Sequence, residues 1–309
     1  MKRKKVVITG SNGLLGQKLV KLLVSKKEYE VHALSRGKNR LHSKKGYTYY
    51  SINLAEEEEL KKVLTAIEPE FVVHTAAMTN VDACELNPEE CDRMNVDVVE
   101  SLVRILKPLE SHLVHLSTDF VFSGLKGTLY TEEDEPDPVN HYGHSKLRSE
   151  QVLQESGISF SILRTVLVYG LVDDRDRSNV VLWVKNSLEE KKEIRVVTDQ
   201  LRMPTYAEDL AEACWLAIET RAAGVFNVSS SELISIYDLA LEVAEAFDLD
   251  KDLIHPVETS QLNLPARRPL STGLDLSRSA RVLQLPLRSF RERLQVFKNQ
   301  LLNHGDPTD

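Results

Sequence analysis

Short apolar runs alternate with longer stretches in which apolar residues recur every three or four positions, and this alternation predicts strands separated by helices. Strands are expected at Val6–Thr9, Tyr29–Leu34, Tyr47–Ile52, Phe71–Ala77 and His112–Ser117. Between them, Lys18–Leu23 carries the helical period, Glu56–Glu59 opens a second helix on a solvated acidic face, and Pro88 starts a long helix that runs to Leu106 before Pro108. Five strands joined through helices imply right-handed crossovers and a parallel α/β sheet. After a further strand at Ile158–Arg164 the pattern becomes mixed, so the domain change is placed near Gly170. Residues 1–170 form the first domain and 171–309 a smaller α/β lobe, with Asp199–Thr205 crossing back. In that lobe a polar loop is expected at Asp173-Asp174-Arg175-Asp176-Arg177, a helix from Asn179 with Trp183 in the core, a strand at Glu193–Val197, and helices at Ser235–Phe247 and Ser289–Leu302.

The first strand runs directly into Gly10-Ser11-Asn12-Gly13-Leu14-Leu15-Gly16 and then a helix. Glycines at this spacing allow a tight turn, close approach of backbone N–H groups to a pyrophosphate, and tight helix–strand packing. A Rossmann-type, doubly wound sheet binding a dinucleotide is therefore expected, with Gly10, Asn12, Gly13, Leu14 and Gly16 around the phosphates. Ser35 and Arg36 end the second strand where an acidic residue would hold both ribose hydroxyls of NAD; a small residue beside Arg suits a 2′-phosphate. NADP is the expected cofactor, with NAD as the alternative and solvated loop charge as the competing reading of Arg36 and Lys38. Asn53 and Leu54 follow the third strand, Asn53 either on the adenine or shaping a turn. The small Ala76 and Ala77 let the chain pass close beneath a cofactor. His74 is read as a satisfied strand residue.

Composition narrows the function. The chain has 309 residues, 42% hydrophobic, with a formal charge of −8 and no apolar run of membrane-spanning length, which argues for a soluble protein without nucleic acid or membrane as partner. The run Val6–Ile8 behind the basic N-terminus is too short for a signal peptide, so the cytoplasm is expected. Cys84, Cys91 and Cys214 show neither a disulfide framework nor a metal-ligand spacing, and no metal is expected.

Tyr142 and Lys146 stand four apart and share one helix face. A phenol titrates near 10, and a cation about 4 Å away at an effective dielectric near 20 offers roughly 4 kcal/mol toward stabilising its anion. Thr118 lies at a carboxyl strand end, where ligands of open α/β sheets bind. The acidic, proline-rich Glu132–Pro138 reads as an extended loop leading to this helix. Ser117 and Asp119 have no histidine placed to complete a nucleophilic triad.

Taken in order, Gly10-x-x-Gly13-x-x-Gly16, Asn95, Thr118 and Tyr142-x-x-x-Lys146 resemble the extended short-chain dehydrogenase/reductases. Within that superfamily the chain is most similar to the dTDP-4-dehydrorhamnose reductases, through Ala76-Ala77-x-Thr79-x-Val81-Asp82, Ser117-Thr118-Asp119-x-Val121-Phe122-x-Gly124, Asp199-Gln200 with Pro204-Thr205, and Ala266-Arg267-Arg268-Pro269 with Leu274-Asp275. The resemblance implies NADPH-dependent reduction of a 4-keto-6-deoxy nucleotide-sugar, and a homodimer. It makes Tyr142 the proton donor, Lys146 its electrostatic partner and ribose ligand, Thr118 a donor to the substrate carbonyl, and Asn95 a support for the lysine through water. Asp119, Phe120 and Asn179 are then expected at the sugar nucleotide. Arg202, Arg267 and Arg268 are candidates for its diphosphate, Arg268 favoured by its motif, interdomain salt bridges being the alternative. Phe120 replaces the family's usual tyrosine, Leu167 its common tryptophan, and Met78 an aromatic or histidine, which leaves the sugar open. A related epimerase or dehydratase is the second enzymatic reading, although Phe120 stands where dehydratases place a second carboxylate. A non-catalytic binding subunit is the third, since the β subunit of methionine adenosyltransferase resembles the same family and lacks the same tryptophan.

Overall fold

A computed structural model describes residues 3–173 and 179–303, so Asp174–Arg177 of the expected polar loop lie outside the described residues. Seven parallel strands form the main sheet: β1 (Lys4–Thr9), β2 (Tyr29–Ser35), β3 (Tyr47–Ser51), β4 (Phe71–His74), β5 (His112–Thr118), β6 (Ser159–Thr165) and β7 (Gly224–Val228). Their order is β7-β6-β5-β4-β1-β2-β3. Val6, Val7 and Ile8 are all buried, as are Val72 and Val73, because helices cover both faces of a parallel sheet. The Leu14–Ser25 and Ala207–Thr220 helices pack on one face, and Glu57–Ile67, Val98–Leu106 and His141–Ser156 on the other.

Strand order reverses between β1 and its neighbour β4, which opens a crevice at the carboxyl ends. Register aligns those ends: Thr9 pairs with His74, His74 with His115, and Thr118 with Thr165. The last strand comes from the C-terminal half of the chain. Residues 205–228 return to the main sheet, adding the Ala207–Thr220 helix and β7 beside β6.

The smaller lobe gathers the helices Val180–Glu189, Ile236–Ala246 and Phe290–Asn303 around Val184, Leu239, Phe290 and Phe297, with Ile194–Val197 paired in parallel to Ile254–Val257. Two expectations need correction. Trp183 is 40% exposed, because the helix turns Val181, Val184 and Leu188 toward the core instead. The long helix expected from Pro88 is broken into Pro88–Asp92, a π-turn at Arg93–Asp97 and Val98–Leu106, with a further short helix at Val81–Leu86 before it. Among the described residues no helix is long and apolar enough to cross a membrane.

Candidate active site

The glycine turn is shaped by close approach. Gly10 has φ +68°, and a Cβ there would lie 2.7 Å from the Ala76 nitrogen; one on Gly16 would lie 2.3 Å from the Gly10 carbonyl oxygen. Gly13 donates its N–H to that same carbonyl at 2.8 Å and caps the Leu14–Ser25 helix without any side-chain cap, so the first helical N–H groups remain available to an anion. The buried Ser11 hydroxyl has no partner among the described residues. These features fit a dinucleotide pyrophosphate. Asn12 serves the neighbouring loop instead, donating to the Arg36 and Lys38 carbonyls and accepting from the Arg40 N–H. Tyr49, which the sequence pattern does not single out, ties Ser35 and Gly37 into the same loop. Arg36 is exposed on it. Asn53 is bonded to Glu56 and Ala55 in its own turn, and Leu54 is buried in the core rather than facing the crevice.

A cleft of about 540 Å³ occupies the crevice. Gly13, Leu14, Gly16, Ala77, Thr118, Asp119, Phe120, Tyr142, Lys146 and Asn179 all line it, so the glycine turn, the strand end and the Tyr142 helix meet in one place. Asn179 caps the Val180–Glu189 helix and donates to the Gly170 carbonyl. A larger hollow of about 640 Å³ lies between the Leu14–Ser25, Ala207–Thr220 and Phe290–Asn303 helices; its Lys18 and Glu208 are paired to each other, and it holds none of the site residues.

The His141–Ser156 helix is held from both ends of its first turn. The Asn140 side chain accepts from the Gly143 N–H and donates to the Arg267 carbonyl, joining the helix to the Ala266-Arg267-Arg268-Pro269 stretch. A Cβ on Gly143 would lie 2.2 Å from the Phe120 carbonyl oxygen, so glycine is what lets the helix dock there. Phe120 meets Tyr142 edge to face at 6.0 Å. The Thr118 hydroxyl donates to Asp119 and accepts from the Phe120 N–H. Burial pushes the Asp119 carboxyl up, opposed by Arg202 and by Thr272, which donates to it.

Desolvation raises the Tyr142 hydroxyl above its ordinary value, opposed by a hydrogen bond with Thr118. Lys146 is not its hydrogen-bond partner. The lysine Nζ donates instead to His115 Nε2 at 3.1 Å, and that nitrogen also meets the Ser149 hydroxyl at 3.0 Å. His115 stacks on His74 at 5.5 Å, and His74 Nδ1 pairs with Thr9 while its Nε2 has no partner among the described residues; the strand histidine is only half satisfied. One turn beyond Lys146, buried Glu150 receives Arg164 at 3.0 and 2.6 Å together with the Ser117 hydroxyl.

Burial lowers Lys146 to about 8, against the opposing carboxylate of Glu150. Between about 8 and its ordinary 10.5 the folded chain therefore binds fewer protons at this site than the unfolded one. Stability contributed by the group rises with pH through that window, because the unfolded state must shed the extra proton. Melting temperatures of the protein without added ligand, measured from about pH 7 to about pH 10, are expected to fall more steeply for Lys146→Met than for the wild type as pH rises. Parallel curves would show that Lys146 titrates normally.

Asn95 makes no direct hydrogen bond to the lysine. Its amide exchanges hydrogen bonds with the Met78 N–H and carbonyl at 2.8 and 3.0 Å and donates to the Ser145 hydroxyl at 3.0 Å, so the π-turn pins the loop beneath the cleft to the Tyr142 helix. None of the three arginines expected at a diphosphate lines the cleft. Arg202 is buried with its guanidinium on the carbonyls of Leu201, Leu270 and Pro269, and it lies over the Phe120 ring at 5.4 Å. Arg268 grips Asp82 with two hydrogen bonds of 2.6 and 2.7 Å, a salt bridge between the Ala266-Arg267-Arg268-Pro269 stretch and the first domain. Leu167 lines the cleft at φ +41°, a left-handed conformation that costs a leucine about 1–2 kcal/mol and is held by the packed lobe around it. His115 and Glu150 were missed as site residues, yet both had a signal: His115 shares a strand face with Ser117, and Glu150 continues the Tyr142, Lys146 stripe by one further turn.

The RmlD substrate binding domain family matches residues 4–303 of this chain. The spore coat polysaccharide biosynthesis protein SpsK of Bacillus subtilis is 32% identical over 299 residues, covering 95% of this chain and 96% of that protein. Methionine adenosyltransferase 2 subunit beta of Bos taurus is 30% identical over 280 residues, covering 89% and 81%. Among solved structures, a dTDP-4-dehydrorhamnose reductase of Bacillus anthracis in complex with NADP superposes with a TM-score of 0.86 at 26% identity, covering 96% of this chain and 99% of that one.

Proposed function

From the premise that this chain belongs to the RmlD substrate binding domain family, we propose that it reduces a 4-keto-6-deoxy nucleotide-sugar with NADPH, dTDP-4-dehydrorhamnose being the first substrate to test. The observation that carries this reading is the convergence of Thr118, Tyr142 and Lys146 on one cleft with the glycine turn. When bound, NADPH supplies the hydride to the carbonyl carbon. The glycine turn and helix N-terminus would hold its pyrophosphate, and Arg36 would pair with the 2′-phosphate. Thr118 orients the carbonyl by donating its hydroxyl proton, which breaks its bond to Asp119. Tyr142 keeps its proton at neutral pH, because desolvation raises it, and releases it to the carbonyl oxygen as that oxygen becomes an alkoxide, a stronger base than phenolate. Lys146, one helical turn away, offsets the phenolate left behind.

NADPH oxidation followed by absorbance with this keto-sugar tests the reading. Arg36→Ala is expected to raise KM for NADPH by about tenfold and leave NADH unchanged, the loss of one charge-assisted contact. Equal effects on both cofactors would return Arg36 to solvent.

One second reading has support of its own. Likeness to methionine adenosyltransferase 2 subunit beta, with Phe120 and Leu167 at the sugar end of the cleft, fits a nucleotide-binding regulatory subunit. Co-purification with a partner enzyme and no turnover of any keto-sugar would favour it over the reductase.

A further inference from the structure

The cysteine spacing predicts no metal site, yet folding assembles a different donor set at the head of the Tyr142 helix. Cys91 and Asp92 end the Pro88–Asp92 helix, and His141 is the first residue of His141–Ser156. Cys91 Sγ, a carboxylate oxygen of Asp92 and a ring nitrogen of His141 all lie within 4.8 Å of one another. Donors around a tetrahedral zinc ion stand about 3.5 Å apart, so side-chain shifts of roughly an ångström close the triangle.

We propose that Cys91, Asp92 and His141 bind one thiophilic divalent cation of the zinc type, with water in the fourth position. One sulfur, one imidazole nitrogen and one carboxylate oxygen form a borderline-soft set that favours Zn²⁺ or Co²⁺ over Mg²⁺ or Ca²⁺. Thiolate and carboxylate together neutralise the dication once Arg148, now paired with Asp92, has been displaced. His141 Nε2 already meets Asp92 Oδ1 at 2.8 Å, and the cation would take the place of the proton between them. Arg148 contacts the same Oδ1, and its partly exposed side chain would swing to solvent as the cation takes that oxygen. Asn95 and Ser145 contact the Cys91 sulfur at 3.4 Å, and Glu85 accepts the His141 backbone N–H at 2.9 Å, so the ligands are held from behind. Cys91 is buried while Asp92 and His141 are partly exposed, which gives an ion a path from solvent. Occupancy would clamp the Pro88–Asp92 helix to the residue directly before Tyr142. The site does not depend on which reaction the cleft performs.

The test is titration of chelator-treated protein with CoCl₂ at neutral pH, read by absorption. One Co²⁺ per chain is expected, with a near-ultraviolet thiolate-to-cobalt charge-transfer band, intense visible bands of a four-coordinate ion, and displacement by ZnCl₂. Cys91→Ala should abolish the charge-transfer band, and His141→Ala should weaken Co²⁺ binding by more than about tenfold. Cys214→Ala, on the Ala207–Thr220 helix, should leave both unchanged. No charge-transfer band in the wild type, or a band that survives Cys91→Ala, overturns the site. If circular dichroism shows that Cys91→Ala misfolds, the partly exposed His141 decides: unchanged affinity in His141→Ala overturns the proposal.

Discussion

Tyr142→Phe is expected to lower kcat for keto-sugar reduction by about a hundred- to ten-thousandfold, the range for losing a positioned general acid. NADPH affinity should stay near the wild-type value, because the substitution removes one oxygen and keeps the ring. The edge-to-face contact with Phe120 at 6.0 Å survives in phenylalanine, so helix docking should hold. The hydroxyl is the group that desolvation keeps protonated, and no neighbouring hydroxyl replaces it without moving: Thr118 donates to Asp119, accepts from Phe120 and is bonded to the Tyr142 hydroxyl itself. NADPH absorbance gives the rate and cofactor fluorescence the affinity. Wild-type turnover in the variant would remove Tyr142 from the proton path. A wild type that binds NADPH yet reduces no keto-sugar would shift the reading to the regulatory subunit.

Glu150→Ala should produce the largest loss of stability, about 3–5 kcal/mol, because it strands the Arg164 guanidinium in the interior. Both side chains are almost fully buried, 1% and 3% exposed, and the carboxylate also receives the Ser117 hydroxyl. For a chain of this size the melting temperature should drop by roughly 10 °C. The double substitution Glu150→Leu with Arg164→Met should recover much of that loss, since a packed apolar pair often equals a buried ion pair. A single variant within about 1 kcal/mol of wild type in denaturant unfolding would show that water reaches the pair.

The glycine turn was legible because its demands are local. A positive φ at Gly10 and a backbone contact where any Cβ would collide exclude other residues, and the strand and helix on either side have their own periods. The Tyr142 and Lys146 pairing was legible for a similar reason, since four residues on a helix is one turn. What Lys146 touches was not legible: His115 comes from β5, and only register within the sheet sets it under the helix. Arg268 and Arg202 illustrate the same limit, because an arginine is equally suited to a phosphate, a carboxylate or a set of carbonyls. Asp82 and the Pro269 and Leu270 carbonyls meet them only once residues 199–205 and 266–270 have docked. Trp183 was misplaced because a short helix with apolar residues at Val180, Val181, Leu182 and Val184 does not declare which face is buried.

By itself, then, the sequence determined the order of strands and helices, the parallel sheet, the phosphate turn and the helix face that carries Tyr142 and Lys146, all of which follow from backbone sterics and periodicities spanning a few residues. Tertiary structure alone decided that β7 completes the sheet from the far half of the chain, that Asn95 pins Met78 and Ser145, that Glu150 and Arg164 neutralise each other, and that Cys91, Asp92 and His141 converge. These contacts join residues from 14 to more than 60 positions apart, and their partners are chosen by which groups burial leaves without water rather than by any local spacing.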